Sequence, residues 1–245
     1  MRTEVIERLS EMLKGRKIVS KDELERHTLR ALLEVAGLEI INIKREFVEE
    51  IVRSLIEYPI TIKSPYYSEE LKIEGITFYY PHTETPGDED FKIAYTEYIK
   101  SKKLVGQLEN LIQITDGFFQ GYQNRGKIAR LYTKNKFRYL VIYSIIDDLF
   151  NDFEVHKELK SNFSGEYVIV VPTEDDISKF YKFYKKRSED AKRAEIKIWV
   201  ANTVKNSINP FIGYPKDFKL IKGFENPKIA TVIGSLWRVN VKDLD

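Results

Sequence analysis

Cysteine is absent from all 245 residues, so no disulfide framework, thiolate nucleophile or Cys-ligated metal is possible. Histidine is nearly absent. Only His27, His82 and His156 occur, far apart in sequence, and a His-rich metal site is not expected. No apolar run reaches the ~20 residues that a membrane helix needs. The opening stretch, MRTEVIERLSEMLKGRK, carries too many charges for a secretory signal. A dominant charge sign is also lacking. Forty Lys or Arg stand against 38 Asp or Glu, a net of +2, so local imbalance must carry any argument about partners. These absences predict a soluble cytoplasmic protein with no membrane partner. The abundance of Lys, Glu, Ile and Tyr leans toward a thermophile.

Apolar residues make up 42% and aromatics 13%, which is enough to bury a core. The first sixty residues read as helices. Val5, Ile6, Leu9, Met12 and Leu13 keep the spacing of one buried helical face. SKDE (Ser20–Glu23) is a capping box, with the Ser hydroxyl on the Glu23 amide and the Glu23 carboxylate reaching back. A third helix carries Phe47, Val48, Ile51, Val52, Leu55 and Ile56, and Pro59 ends it. Three helices before a β-prone stretch fit a winged helix-turn-helix. Residues 1–63 hold twelve cations and twelve acids, however, and the third helix carries Glu46, Glu49, Glu50 and Glu57. A DNA-reading helix should be basic, so packing or homodimerisation through these helices is the expectation.

Alternation in Leu71, Ile73, Ile76, Phe78 and Tyr80 predicts a hairpin around Gly75. PHTETPGDED then reads as an acidic loop. His82, Glu84, Asp88 and Asp90 are types that bind cations, but their spacing matches no metal loop, and no metal site is predicted. Near-continuous apolar runs at Tyr139–Ile146, Glu166–Val171 and Glu195–Ala201 predict strands buried on both faces. A helix capped by Thr173 lies between the last two, which makes them a parallel pair. NPFIGYPKD reads as a loop, and Pro227 opens a last helix. The fold class is α/β or α+β: a helical segment at 1–60, then a mixed, partly parallel sheet flanked by helices at 61–245.

One motif raises a question. GYQNRGKI (Gly121–Ile128) fits a phosphate loop up to its last letter, where Ile128 replaces the hydroxyl that holds Mg²⁺. A helix end precedes it instead of the required strand, so a true phosphate loop is not expected. The charge signal there is firmer. Between Gly117 and Ile146 there is no acid, while Arg125, Lys127, Arg130, Lys134, Lys136 and Arg138 are interleaved with Phe118, Phe119, Tyr122, Tyr132, Phe137 and Tyr139. Basic side chains attract phosphates and aromatic faces stack bases. If Lys127–Lys136 is helical, Lys127, Arg130 and Lys134 share one face. Tyr122, Arg125, Lys127, Arg130, Lys134 and Arg138 are therefore the candidate binding residues for nucleic acid or an anionic small ligand. The alternative is that this segment docks on the chain's own acidic stretch, 66–98.

Two functional classes follow. LENLIQITDGFFQGYQNRGKIARLYTKNKFRYLVIYS resembles the middle of the DICT sensory domain of bacterial and archaeal signalling proteins. Phe119, Gly121, Tyr122 and Gln123 stand for that family's aromatic turn, with Gln120 splitting the pattern. EYVIVVPTEDDISKFYKFYKKR and EIKIWVANT follow in the family's order, so the likeness spans about 100–205. It implies a further helix after the turn and a signal-sensing, non-catalytic role. The second class is a metal-dependent nuclease, in which Asp176, Glu195 and Lys197 would supply the Mg²⁺-binding acids and the lysine that steadies the attacking water. The sequence names no cofactor.

Overall fold

The computed structural model describes residues 1–57, 66–172, 178–204 and 206–211. The chain divides into two compact units, Met1–Gly106 and Gln107–Asp245. The unit that begins with the N-terminal helices thus continues well past residue 60.

In the first unit, α1 (Arg2–Met12) buries Val5, Ile6 and Leu9, as the periodicity predicts. A two-residue strand, β1 (Val19–Ser20), leads directly into α2 (Lys21–Ala36). The Ser20 hydroxyl accepts from the Glu23 amide at 3.1 Å, so half of the capping box forms. The Glu23 carboxylate does not reach back. It takes the Arg16 guanidinium in a fork, at 2.9 and 3.1 Å, because a cation is the better partner for a carboxylate with no solvent exposure. After a 3-10 turn at Gly37–Asn42, α3 (Arg45–Ile56) buries Val48, Ile51, Val52 and Leu55.

The hairpin predicted around Gly75 is β2 (Glu69–Ile73) and β3 (Ile76–Tyr80), with Ile73 opposite Ile76. Its two turn residues, Glu74 and Gly75, have φ of 50° and 79°. Two positive φ values match the twist of the flanking strands, which is why a two-residue turn suffices. β3 also pairs antiparallel with β1, so the sheet order is β1-β3-β2. This ties the helical segment to the hairpin and explains why the unit does not end near residue 60.

The end of the acidic stretch is not a loop. Asp88 opens α4 (Asp88–Leu104), and Asp90 accepts from the Gly87 amide at 2.9 Å. Acids in a first turn favour the helix dipole and its free amides. Phe91 and Tyr98 of α4 pack with Ala94 against Ile18, Phe78, Ile76 and Tyr80.

In the second unit, α5 (Leu108–Phe118) precedes a sheet whose order repeats the chain order: β4 (Gln123–Arg125), β5 (Arg130–Lys134), β6 (Phe137–Tyr143), β7 (Glu166–Pro172), β8 (Ile196–Asn202) and β9 (Ser207–Phe211). The pairs β6–β7 and β7–β8 are parallel and the others antiparallel. The mixed, partly parallel sheet is therefore present, and the fold is α+β. The three predicted strands are β6, β7 and β8. The crossovers are α6 (Ile146–Ser161), which periodicity did not reveal, and α7 (Ser178–Arg193).

The register sorts the two faces. Tyr139, Val141 and Tyr143 share one face with Val168, Val170 and Trp199. There α5 delivers Phe118 and Phe119, whose rings lie 5.1 and 5.7 Å from the Trp199 ring. Tyr167 is on the other face, where α6 delivers His156. α7 covers α6, with Phe183 against Phe150 and Phe153.

Asn209, Pro210 and Phe211, expected in a loop, form the end of β9, the last strand in the sheet order, with Pro210 opposite Trp199. Thr173 and the helix expected from Pro227 lie outside the described residues. No described helix is long and apolar enough to cross a membrane.

Candidate functional site

GYQNRGKI is the link from α5 into the edge of the large sheet. Gly121 and Gly126 take φ of 86° and 99°, values open to glycine, and they bracket the short strand β4. Ile128 is buried, Lys127 exposed, and β5 begins at Arg130. No helix follows Lys127, so the helix-dipole half of a phosphate loop is missing. The same observation corrects two expectations. Lys127–Lys136 is not helical, and the further helix implied by the resemblance is replaced by β4 and β5. Residues 130–134 alternate charged or aromatic with Leu131 and Thr133, a period of two that fits a strand.

The six candidate residues separate by environment. Tyr122 is buried, its ring 5.4 Å from Phe119 and 6.1 Å from Tyr139, and it acts as core. Lys134 lies 5.1 Å from the Tyr122 ring centroid, a cation–π contact. Arg130 is half-buried and committed to Asp116, with its Nη2 2.6 Å from Oδ2 and 2.7 Å from Oδ1. Arg125 and Lys127 are exposed. Arg138 is exposed along strand β6 and rests on the Phe163 ring at 5.1 Å. Lys136 is exposed in the β5–β6 turn beside Phe137, which is 45% exposed. Arg125, Lys127, Lys136 and Arg138 make no ion pair with a described residue of their own unit. They are spread over the β4–β5–β6 end of the sheet, Arg125 on β4, Lys127 in the β4–β5 link, Lys136 in the β5–β6 turn and Arg138 on β6.

Asp116 was not anticipated. It lies near the end of α5 and accepts from Arg130 and from the Tyr132 hydroxyl at 2.5 Å, while Asn124 of β4 approaches at 3.4 Å. Arg130 also donates to the Gly126 carbonyl at 2.6 Å. One carboxylate thus fastens the helix end, the edge strand and β5 together. Burial works against the Arg130 charge, but the hydrogen bonds to Asp116 and Tyr132 outweigh it, and its pKa is raised. Burial, the nearby Tyr143 and Asp116 push the Tyr132 hydroxyl well above its usual value.

Of the nuclease residues, Glu195 and Lys197 turn to different partners. Lys197 shares the face of Trp199 and pairs with Glu166 at 2.6 Å. Glu195, at φ 54° just before β8, pairs instead with Lys160 of α6 at 3.2 Å. Asp176 lies outside the described residues. Two carboxylates and a lysine around one Mg²⁺ need a common centre, and Glu195 and Lys197 are each committed elsewhere.

Among the described residues, one group in the first unit combines metal-ligand types. Atoms of Glu23, His27 and Glu97 lie within 4.8 Å of one another. Cations already occupy that space. Arg16 forks Glu23, Arg26 donates to Glu97 at 2.7 Å and Lys100 at 2.6 Å, and guanidinium nitrogens of Arg26 and Arg30 sit 3.2 and 3.1 Å from the two ring nitrogens of His27. Burial and the two arginine charges hold the His27 pKa well below its ordinary value. Burial raises the Glu97 pKa, but bonds to Lys100 and Arg26 outweigh it and bring the value to about 2. The cluster is an internal ion-pair network that joins α2 to α4. His82, Glu84, Asp88 and Asp90 do not form such a group among the described residues.

Fold and site define a two-unit α+β protein whose second unit carries four exposed cations on the β4–β5–β6 end of a sequentially ordered mixed sheet. The chain belongs to the family described as "Domain of unknown function (DUF6834), C-terminal domain", which matches residues 97–226. Residues 4–95 match a second family, "Domain of unknown function (DUF6846)". The two matches meet near the boundary between the units. No curated protein matches the chain.

Proposed function

We propose that this is a regulatory, sensory-type protein that binds a polyanion, nucleic acid foremost, through the basic β4–β5–β6 end of the second unit's sheet. The observation that carries the reading is the set of four exposed cations, Arg125, Lys127, Lys136 and Arg138, in a stretch of sequence that has no acid between Gly117 and Ile146. Their spread over a strand, a bend, a turn and a second strand suits an extended chain of phosphates better than a compact anion. Phe137, exposed among them, offers a face on which a base can stack. The charge difference between the units has the same sense. Residues 1–106 hold 17 Lys or Arg and 20 Asp or Glu, and residues 107–245 hold 23 and 18.

The first unit supports a regulatory reading in another way. Its order of helix, strand, helix, helix, hairpin, with β1 beside β3, follows a winged helix-turn-helix. The helix that would read DNA, α3, exposes Glu46, Glu49 and Glu50 against Arg53, and Glu57 follows at its end. That surface repels phosphates, so protein contacts are the better role for it.

Fluorescence anisotropy with labelled single- and double-stranded DNA and RNA at several salt concentrations tests the reading. Four phosphate contacts give a log–log salt slope near −3 for single strands, and Arg125→Ala/Lys127→Ala/Lys136→Ala should lose roughly two units of that slope. Circular dichroism checks that the variant folds. If the wild type binds nothing at low salt, the proposal fails. If the variant binds as well as the wild type, the site is wrong.

A further inference from the structure

We propose that the protein pairs with a second copy of itself through the outer edge of β2, which no described strand pairs, extending the three-stranded sheet of the first unit across a two-fold axis. β2 is the outer strand of the order β1-β3-β2, and all five of its residues are exposed. An open edge presents unpaired amides and carbonyls to any strand that fits. Leu71 and Ile73 are 37% and 38% exposed. They stand opposite Phe78 and Ile76, whose side chains contribute to the core against α4. The apolar face of the hairpin therefore runs on beyond the part that its own helix covers. α4 exposes two more apolar residues one turn apart, Tyr95 and Ile99, at 49% and 40%.

The occupant follows from the charges on the strand. β2 reads Glu69-Glu70-Leu71-Lys72-Ile73. Two copies paired antiparallel about an axis normal to the sheet keep their faces matched only when residues of equal parity oppose each other. The register centred on Leu71 sets Glu70 against Lys72 twice and Leu71 against Leu71. A register centred on Glu70 sets Glu70 against itself, and one centred on Lys72 sets Lys72 against itself and Glu70 against Glu74. Directly opposed unlike charges stabilise a strand pair and like charges destabilise it. Of these three the Leu71-centred register alone is favourable, and it is the one that pairs all five residues of β2. Within one chain Lys72 sits 3.3 Å from Glu70, so the two side chains already lie on one face of the strand. An isologous contact of this kind closes on itself and stops at two copies.

Sedimentation equilibrium of the full chain over a wide concentration range tests this, with three variants. The wild type should dimerise. Lys72→Glu, which opposes acid to acid at both cross-pairs, should weaken the dimer roughly tenfold or more. Glu70→Lys/Lys72→Glu, which restores unlike pairs with the signs exchanged, should recover it. The chain has no native cysteine, so Leu71→Cys gives a single thiol. Opposed residues of a strand pair lie ~4.5–5.5 Å apart between Cα atoms, within disulfide range, and mild oxidation should cross-link that variant. Ile73→Cys, which faces Glu69 of its mate, should not cross-link. A wild type that stays monomeric at every concentration overturns the proposal and leaves the edge to a strand of another protein. A dimer that is indifferent to Lys72→Glu overturns it as well.

Discussion

Replacing Asp116 by alanine is the most direct test of how the basic end of the large sheet is held. Asp116 accepts two bonds from the Arg130 Nη2 at 2.6 and 2.7 Å, one from its Nε at 3.1 Å and one from Tyr132 at 2.5 Å. The Arg130 side chain is 12% exposed and that of Asp116 32%. Removing one partner of a fully buried pair costs about 3–5 kcal/mol, because the other charge is left without compensation. The partial exposure of Asp116 lowers that cost, and about 2–3 kcal/mol is expected for Asp116→Ala, since a hydrogen bond to a charged group is itself worth about 1.5–3 kcal/mol. Both tryptophans, Trp199 and Trp237, belong to the second unit. Urea unfolding followed by tryptophan fluorescence therefore reports this unit. Asp116→Ala/Arg130→Met should be more stable than Asp116→Ala, because it removes the stranded charge. Released Arg130 also adds a cation to that end, so Asp116→Ala should bind single-stranded nucleic acid at least as tightly as the wild type in proportion to the folded protein. A loss below about 0.5 kcal/mol, the range typical of surface changes, would refute the view that this carboxylate fastens α5 to that end of the sheet.

Three further outcomes are expected. Burial lowers the His156 pKa to about 4, and its Nδ1 sits 2.8 Å from the Tyr167 hydroxyl. The unfolded chain takes up that proton as pH falls through about 6.5 and the folded chain only near 4, so stability should fall between those values, by up to about 1.4 kcal/mol per pH unit. His156→Gln should flatten that limb in pH-dependent urea unfolding. Gly165 has φ 151°, and a Cβ there would lie 2.8 Å from the Arg138 carbonyl oxygen and from the Phe163 ring, so Gly165→Ala should cost roughly 2–4 kcal/mol by thermal unfolding, from strain and overpacking. Ser20→Ala removes the bond to the Glu23 amide and should cost about 1 kcal/mol, read by far-ultraviolet circular dichroism.

What the sequence revealed follows from how local each signal is. The cap at Ser20, the two-residue turn at Glu74–Gly75 and the apolar runs of β6, β7 and β8 are each written within a few consecutive residues. The α6 helix hid because its buried side holds Asp148, Asp152 and His156 among Leu149, Phe153 and Leu159, which blurs the apolar stripe. The whole of α4 hid, its start because acids that open a helix have the composition of a solvated loop. The basic segment was visible as charge but misjudged as shape, since Lys127, Arg130 and Lys134 satisfy a helical spacing while residues 130–134 also satisfy a strand. Asp116 could not be found by spacing. Its partners lie 14 and 16 residues away, and only the turn from α5 through β4 into β5 brings them together.

The strand order of the second unit has a consequence for synthesis. Each strand from β5 to β9 pairs with the one made just before it, so a chain leaving the ribosome meets its partner strand already present. The hairpins close over short loops, and the two parallel pairs wait only for a single helix to be made. Nascent-chain arrest at successive lengths should show the sheet growing one strand at a time from the β4 side, with the newest strand always the exposed one.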